Sequence, residues 1–131
     1  METGSLRILH QALLGEALMT GDSALFVTDD EGRYLAANDS GLTLLGYTRE
    51  ELSALNARDV TTRSDEEIAE VYAMLKRAHS VQHRAHFRRK DGVAGSIDVV
   101  AVESKVGGLP VVVSITAPIG TFVPDQGPLA K

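Results

Sequence analysis

The sequence predicts an α+β domain with five antiparallel strands. Three observations carry that prediction. An apolar strand pair flanks the acidic turn Asp29 to Gly32; Thr48 with Glu51 and Ser64 with Glu67 form two capping boxes; and three strand-length runs are joined by Asp91-Gly92 and Gly107-Gly108. With 131 residues the chain suffices for one domain with a core and is too short for two ordinary ones. Its 44% apolar and 24% charged residues place it among globular proteins rather than disordered or collagen-like chains.

Ser5 to Thr20 reads as a helix with two apolar sides, Leu6, Leu9, Leu13 and Ala17 on one and Ile8, Ala12 and Met19 on the other. Ala24 to Thr28 and Arg33 to Ala37 form a hairpin, and Asn38 is the natural N-cap of a short helix reaching Leu45, since its side chain can accept from the first free amides. Helices start again at the two capping boxes. The second spans Asp65 to Ala78, with Ile68, Val71, Tyr72, Leu75 and Ala78 on one broad face meant to cover a core.

Ser80 to Arg89, Val93 to Glu103 and Leu109 to Ala117 then make a meander. The runs "IDVVAV" and "LPVVVSITA" are nearly continuous in apolar residues, which predicts cover on both faces, and the N-terminal helix is the element available for the second face. Gly120 to Lys131, rich in Gly and Pro, is expected to be a flexible tail or linker. The boundaries are thus 1–20 for a capping and dimerisation helix, 21–119 for the domain and 120–131 for the tail.

Several chemistries are excluded by composition. Without cysteine there is no thiol nucleophile, zinc-thiolate site, iron-sulfur cluster or cysteinyl cofactor adduct. A net charge of -5 argues against direct nucleic-acid binding, and the basic stretch His83 to Gly92 reads as a solvated strand end and turn. No run approaches the length of a membrane span and the N-terminus lacks a signal-peptide pattern, so a cytoplasmic location is expected. No nucleophile-base pair, phosphate-cradling Gly loop or metal-spaced group stands out. The expectation is a nonenzymatic chain, with Asp29-Asp30-Glu31 a solvated turn rather than a cation site.

The order of elements, together with "ALFVTDDEGRYLAANDSGLTLLGYTREEL" and the later "FRRKDG", resembles the PAS sensor-domain family over about Leu6 to Ala117. The resemblance rests on Asp-x-x-Gly before the second strand, Asn38 after it, Leu45-Gly46-Tyr47-Thr48 with its acidic helix start, and Arg89-Lys90-Asp91-Gly92. It implies a PAS fold: a five-stranded antiparallel sheet with short helices on one face, the N-terminal helix on the other, and a pocket under the short helices that holds a small molecule. One departure is that Ile115-Thr116-Ala117-Pro118 replaces the Asp-Ile/Leu-Thr ending common in relatives that signal into a following helix. Pro118 disfavours such a helix.

Strand alternation combined with that architecture turns Val81, His83, Ala85 and Phe87 inward and Gln82, Arg84, His86 and Arg88 outward. The expected ligand site is Tyr72 and Leu75 facing His83, Val99, Ala101, Val112 and Ser114. His83 is either a ligand contact or a partly buried His bonded to a neighbour.

No resident cofactor is expected. Haem-binding relatives take their axial His from the longer helix, which has none here, and His79 at its end reads as a helix C-terminal His. The flavin-binding light-sensing branch carries Asn-Cys-Arg where this chain has "LNARDVTTR", and a Gln near Thr116. A cofactor-bearing haem or flavin sensor is the alternative to a ligand-binding or dimerising module of a regulatory system, such as a two-component system or transcription regulator, with an output domain or protein as partner. The expected assembly is a C₂ homodimer built on the N-terminal helix and the outward row Val111, Val113 and Ile115.

Overall fold

Gly107 and Gly108 both take positive φ, 57° and 82°, as a two-residue hairpin turn matched to strand twist requires, so Val106 pairs directly with Leu109. β3 (Ser80–Arg88), β4 (Ala94–Val106) and β5 (Leu109–Pro118) consequently form the expected meander, with Ser80 opposite Val102 and Arg88 opposite Ala94 without a register shift. β1 (Ser23–Asp29) and β2 (Tyr34–Ala37) complete the sheet, in the order β2-β1-β5-β4-β3. The structure is a computed structural model that describes residues 2–125, and side chains from residue 6 onward except that of residue 11.

Four helices follow β2 on one side of the sheet: α2 (Asp39–Leu45), α3 (Arg49–Ser53), α4 (Ala57–Val60) and α5 (Asp65–Ala78). The two capping boxes are present, and Asn56 with Asp59 forms a third that opens α4. The basic stretch is not merely solvated. Arg89 Nη1 donates to the carbonyls of Thr43 and Leu44 at the end of α2, Lys90 N donates to Leu45 O at 2.8 Å, and Lys90 Nζ pairs with Glu51 Oε2 at 2.6 Å. The β3–β4 turn therefore ties down the α2 and α3 region, with the guanidinium on helix carbonyls that favour positive charge.

The tail departs from expectation. Ile119–Thr121 is a 3-10 turn, and Val123–Pro124 forms a sixth strand, β6, pairing with Gly95 and Ser96 of β4. Phe122 packs on Phe87 with ring centroids 5.2 Å apart, and a Cβ on Gly95 would lie 2.4 Å from the Phe122 ring. Folded structure thus continues beyond 119, because one aromatic side chain and a glycine groove outweigh a local composition with no period. Residues 126–131 of the expected linker lie outside the described residues.

The N-terminal helix, α1 (Glu2–Thr20), does not cover the outer sheet face. Every described side chain on it is exposed, including Leu6, Ile8, Leu9, Leu13, Leu14 and Leu18. The reason lies at its C-terminus. Asn38 Nδ2 donates to Leu18 O and Ser40 Oγ to Gly21 O, which directs the helix toward α2 rather than across the strands. On the outer row Val111 is buried and Val113 half-buried, while Ile115 is 41% and neighbouring Val102 37% exposed. Among the described residues no helix is long and apolar enough to cross a membrane.

Asn38, 3% exposed, is the junction of these parts. Its Oδ1 accepts from Gly41 N and Leu25 N, both at 2.9 Å, while its Nδ2 donates to Ser23 O at 3.0 Å and to Leu18 O. One amide thereby caps α2, closes the start of β1 and holds the end of α1. Asn38→Asp keeps the acceptor but sets a carboxylate oxygen against two carbonyls. We expect it to lower stability by about 3 kcal/mol or more in urea unfolding, against a smaller loss for Asn56→Asp, whose side chain is more exposed.

Candidate functional site

The core is divided. One buried cluster joins Phe26, Tyr34, Leu44, Leu45, Leu52, Val60, Phe87 and Ile97, and a second, smaller one joins Leu75, Val81 and Ala101. Between them, under α4 and α5 and over the inner sheet face, lies a cavity of about 720 Å³ with mainly apolar walls. That volume falls in the range of small-molecule sites.

All seven residues expected at the pocket line this cavity: Tyr72 and Leu75 from α5, His83 from β3, Val99 and Ala101 from β4, Val112 and Ser114 from β5. The pairings His83 with Val99, and Ala101 with Ser114, keep them on one face. The α5 face is less buried than its periodicity suggests. Leu75 is buried at 2% exposure, Ile68, Val71 and Tyr72 are half-buried against the cavity, and Ala78 is exposed. A helix fastened by one fully packed side chain has little apolar burial opposing its movement.

Other wall residues escaped the sequence reading. Tyr34 and Phe26 pack as a tilted pair, 5.7 Å between centroids and 57° between ring planes, and Thr28, Val60 and Arg63 also line the space. Burial pushes the phenols of Tyr34 and Tyr72 above their ordinary values, so both stay neutral donors. Arg63 sits in the loop before α5, which docks on β3 through Thr62 N to His86 O at 3.0 Å. Its Nη2 donates to Arg84 O at 2.7 Å and its Nη1 lies 3.5 Å from Glu67 Oε2. No periodic pattern reaches a loop side chain, so nothing in the sequence alone singled it out.

Among the described residues the His83 Nδ1 meets no hydrogen-bond partner in good geometry. That nitrogen is shielded from solvent, and burial, assisted by the Arg63 guanidinium and His86, holds the imidazole below its ordinary value against a weaker opposing pull from the Arg84 main chain. The ring is therefore held toward its neutral form. His79, by contrast, lies outside the cavity walls. It closes α5 at a left-handed φ of 68°, and its Nδ1 is 3.1 Å from Glu103 Oε1. The Thr116 hydroxyl is committed to the main chain, accepting from Ala24 N at 2.9 Å and donating to Ala117 O at 2.7 Å.

The acidic turn at the cavity mouth is internally paired. Asp29 accepts from Glu31 N, Arg33 N and Arg33 Nε, and the Arg33 guanidinium holds its carboxyl below the usual range. Among the described residues no cluster of three or more His, Asp or Glu side chains forms a metal site.

With this geometry, a family model described as PAS domain matches residues 22–116, and the chain belongs to the PAS domain family. Among solved structures it is similar to a PAS domain from a two-component sensor histidine kinase, with TM-score 0.73 and 13% identity over 86% of this chain and 98% of that one. It is also similar to the PAS domain of a protein from Colwellia psychrerythraea, with TM-score 0.73 and 23% identity over 85% and 96% of the two chains. An RNA-binding light-oxygen-voltage receptor matches with TM-score 0.73 and 18% identity over 86% of this chain and 34% of its own. At these identities the likeness is one of fold. No curated protein matches the sequence.

The neutral state of His83 has a consequence for stability. As pH falls below the ordinary value of 6.5 the unfolded chain takes up this proton before the folded one, so His83 costs nothing above that pH and lowers stability below it. Relative to His83→Gln, the wild-type chain should lose stability from about pH 6.5 downward, with a slope of at most about 1.4 kcal/mol per pH unit. Urea unfolding of both across pH 5 to 8 reads it; parallel curves would mean an unperturbed ring.

Proposed function

We propose that this PAS domain is a noncatalytic sensor module that binds a small molecule between α5 and the sheet and passes the change to a regulatory system. The observation that carries the reading is the cavity that splits the core beneath a lightly fastened α5. A ligand filling it would join the two clusters and tighten the helix, converting occupancy into a change of order. An output domain or protein of a two-component or transcriptional system is the partner of this reading, and a cytoplasmic location belongs to it.

No resident haem or flavin is part of the proposal. α5 carries no His, His79 turns to Glu103, and the Thr116 hydroxyl is already bonded to backbone. We expect the purified protein to show no Soret or flavin band, and molecules released on denaturation to be identifiable by mass spectrometry. Either absorbance band would replace this reading with a cofactor-bearing gas or redox sensor.

The module acts as a homodimer through α1 and the outer sheet face. Support comes from six exposed Leu and Ile side chains on α1 and from Val102 and Ile115 on β4 and β5, an apolar expanse of the kind that marks interfaces. A two-fold axis lets this surface cover itself. Light scattering at tens of micromolar should give a dimer for the full chain and a monomer once residues 1–20 are removed; an unchanged mass would exclude α1 as the assembly element.

A further inference from the structure

Arg63 Nε and His83 Nδ1 are the buried side-chain nitrogens without a hydrogen-bond partner among the described residues, and both side chains belong to the wall of the cavity under α5. Buried groups left unpaired are costly and uncommon, so two in one wall call for an explanation. From this pair we infer that the cavity takes a monocarboxylate with an apolar body, its carboxylate seated between Arg63 and His83. The inference rests on the small-molecule reading above and names the chemical class of its ligand.

The guanidinium is incompletely matched within the protein. Nη2 is bonded to a neutral carbonyl, and the one nearby carboxylate, Glu67, stands 3.5 Å from Nη1, is half exposed and is already engaged by Ser64. A planar carboxylate offers two acceptor oxygens for the Nε–H and for an imidazole N–H, a geometry guanidinium groups favour. Both nitrogens are covered in the ligand-free wall, so the anion is met by a turn of the imidazole and a small shift of the Arg63 loop. The neutral ring supplies one N–H to such an acceptor and becomes a stronger partner if it gains a proton beside the anion.

The rest of the wall narrows the class. Leu44, Val60, Leu75, Ile97 and Val99 offer nothing to a second charged group. At the exposed rim Asp30, Glu31 and Asp65 offset Arg58 and Lys76, so the rim offers no surplus positive charge to nucleotides and other polyanions, and Arg63 opposes a cation in the interior.

Calorimetry on the full chain, freed of bound molecules, compares octanoate and 3-phenylpropanoate with their primary amides and with ATP. The acids should bind at least about tenfold more tightly than the amides, and ATP not at all. Arg63→Gln should remove that preference by weakening acid binding more than amide binding, and Arg63→Lys should keep part of it; His83→Phe tests the second contact without touching the loop. Equal affinity of acid and amide, or a preference that survives in both Arg63→Gln and His83→Phe, overturns the carboxylate assignment. Native mass spectrometry of the protein as isolated, before bound molecules are removed, distinguishes failure of this inference from failure of the sensor reading. A released neutral or cationic molecule overturns this inference and leaves the sensor reading intact, whereas no released molecule and no binding by either series overturns both.

Discussion

Asn38 uses both ends of its amide inside the protein, accepting from two main-chain N–H groups and donating to two carbonyls. Three elements meet there: the end of α1, the first residues of β1 and the first turn of α2. Because the side chain is sealed from water, no solvent molecule can replace a lost bond without opening the junction. The direction in which α1 leaves the sheet, and hence which apolar surface stays uncovered, follows from this residue together with Ser40, which donates to Gly21 O. Arg89 and Lys90 do the complementary task at the other end of α2, where carbonyls that the helix cannot satisfy receive a guanidinium and a main-chain N–H.

These anchors bear on the cavity. The short helices α2 and α3 are pinned by capping boxes and by the β3–β4 turn, and α4 is held to the hairpin by Asn56 Nδ2 on Glu31 O at 2.8 Å and by Ala57 N on Gly32 O at 2.8 Å. The walls supplied by α2 and α4 are thus fixed by hydrogen bonds. α5 differs, with a strong cap at Ser64 and little packing along its length. A site with rigid walls and one lightly packed helix concentrates its conformational freedom where a ligand would touch it.

The charged groups Asp30, Glu31, Arg58, Asp65 and Lys76 that line the cavity are exposed, whereas the half-buried and buried polar groups are mostly neutral. Tyr34 and Tyr72 remain phenols and His83 is held toward the uncharged imidazole, all chiefly through burial. Arg63 is the half-buried charged residue of the wall, and its charge also contributes to keeping His83 neutral. Outside the cavity the unsatisfied surface is apolar, made of α1 and the outer sheet row, so the two proposed interactions, with a small molecule and with a second copy of the chain, use separate faces.

The sequence by itself determined what depends on near neighbours. Asn38, Thr48 and Ser64 announced helix starts, Asp91-Gly92 and Gly107-Gly108 fixed two turns, and strand alternation set which of His83, Val99, Ala101, Val112 and Ser114 share a face. Each is a matter of bonds or periods spanning at most a few residues, and a strand in register inherits the rest. Tertiary structure decided the remainder. Arg63 entered the wall because its loop docks on β3, Phe122 entered the core because Gly95 leaves room for its ring, and α1 stayed off the sheet because α2 captures its last carbonyls. The cavity itself is space left unfilled by side chains distant in sequence, and no local pattern encodes where packing will fail to close.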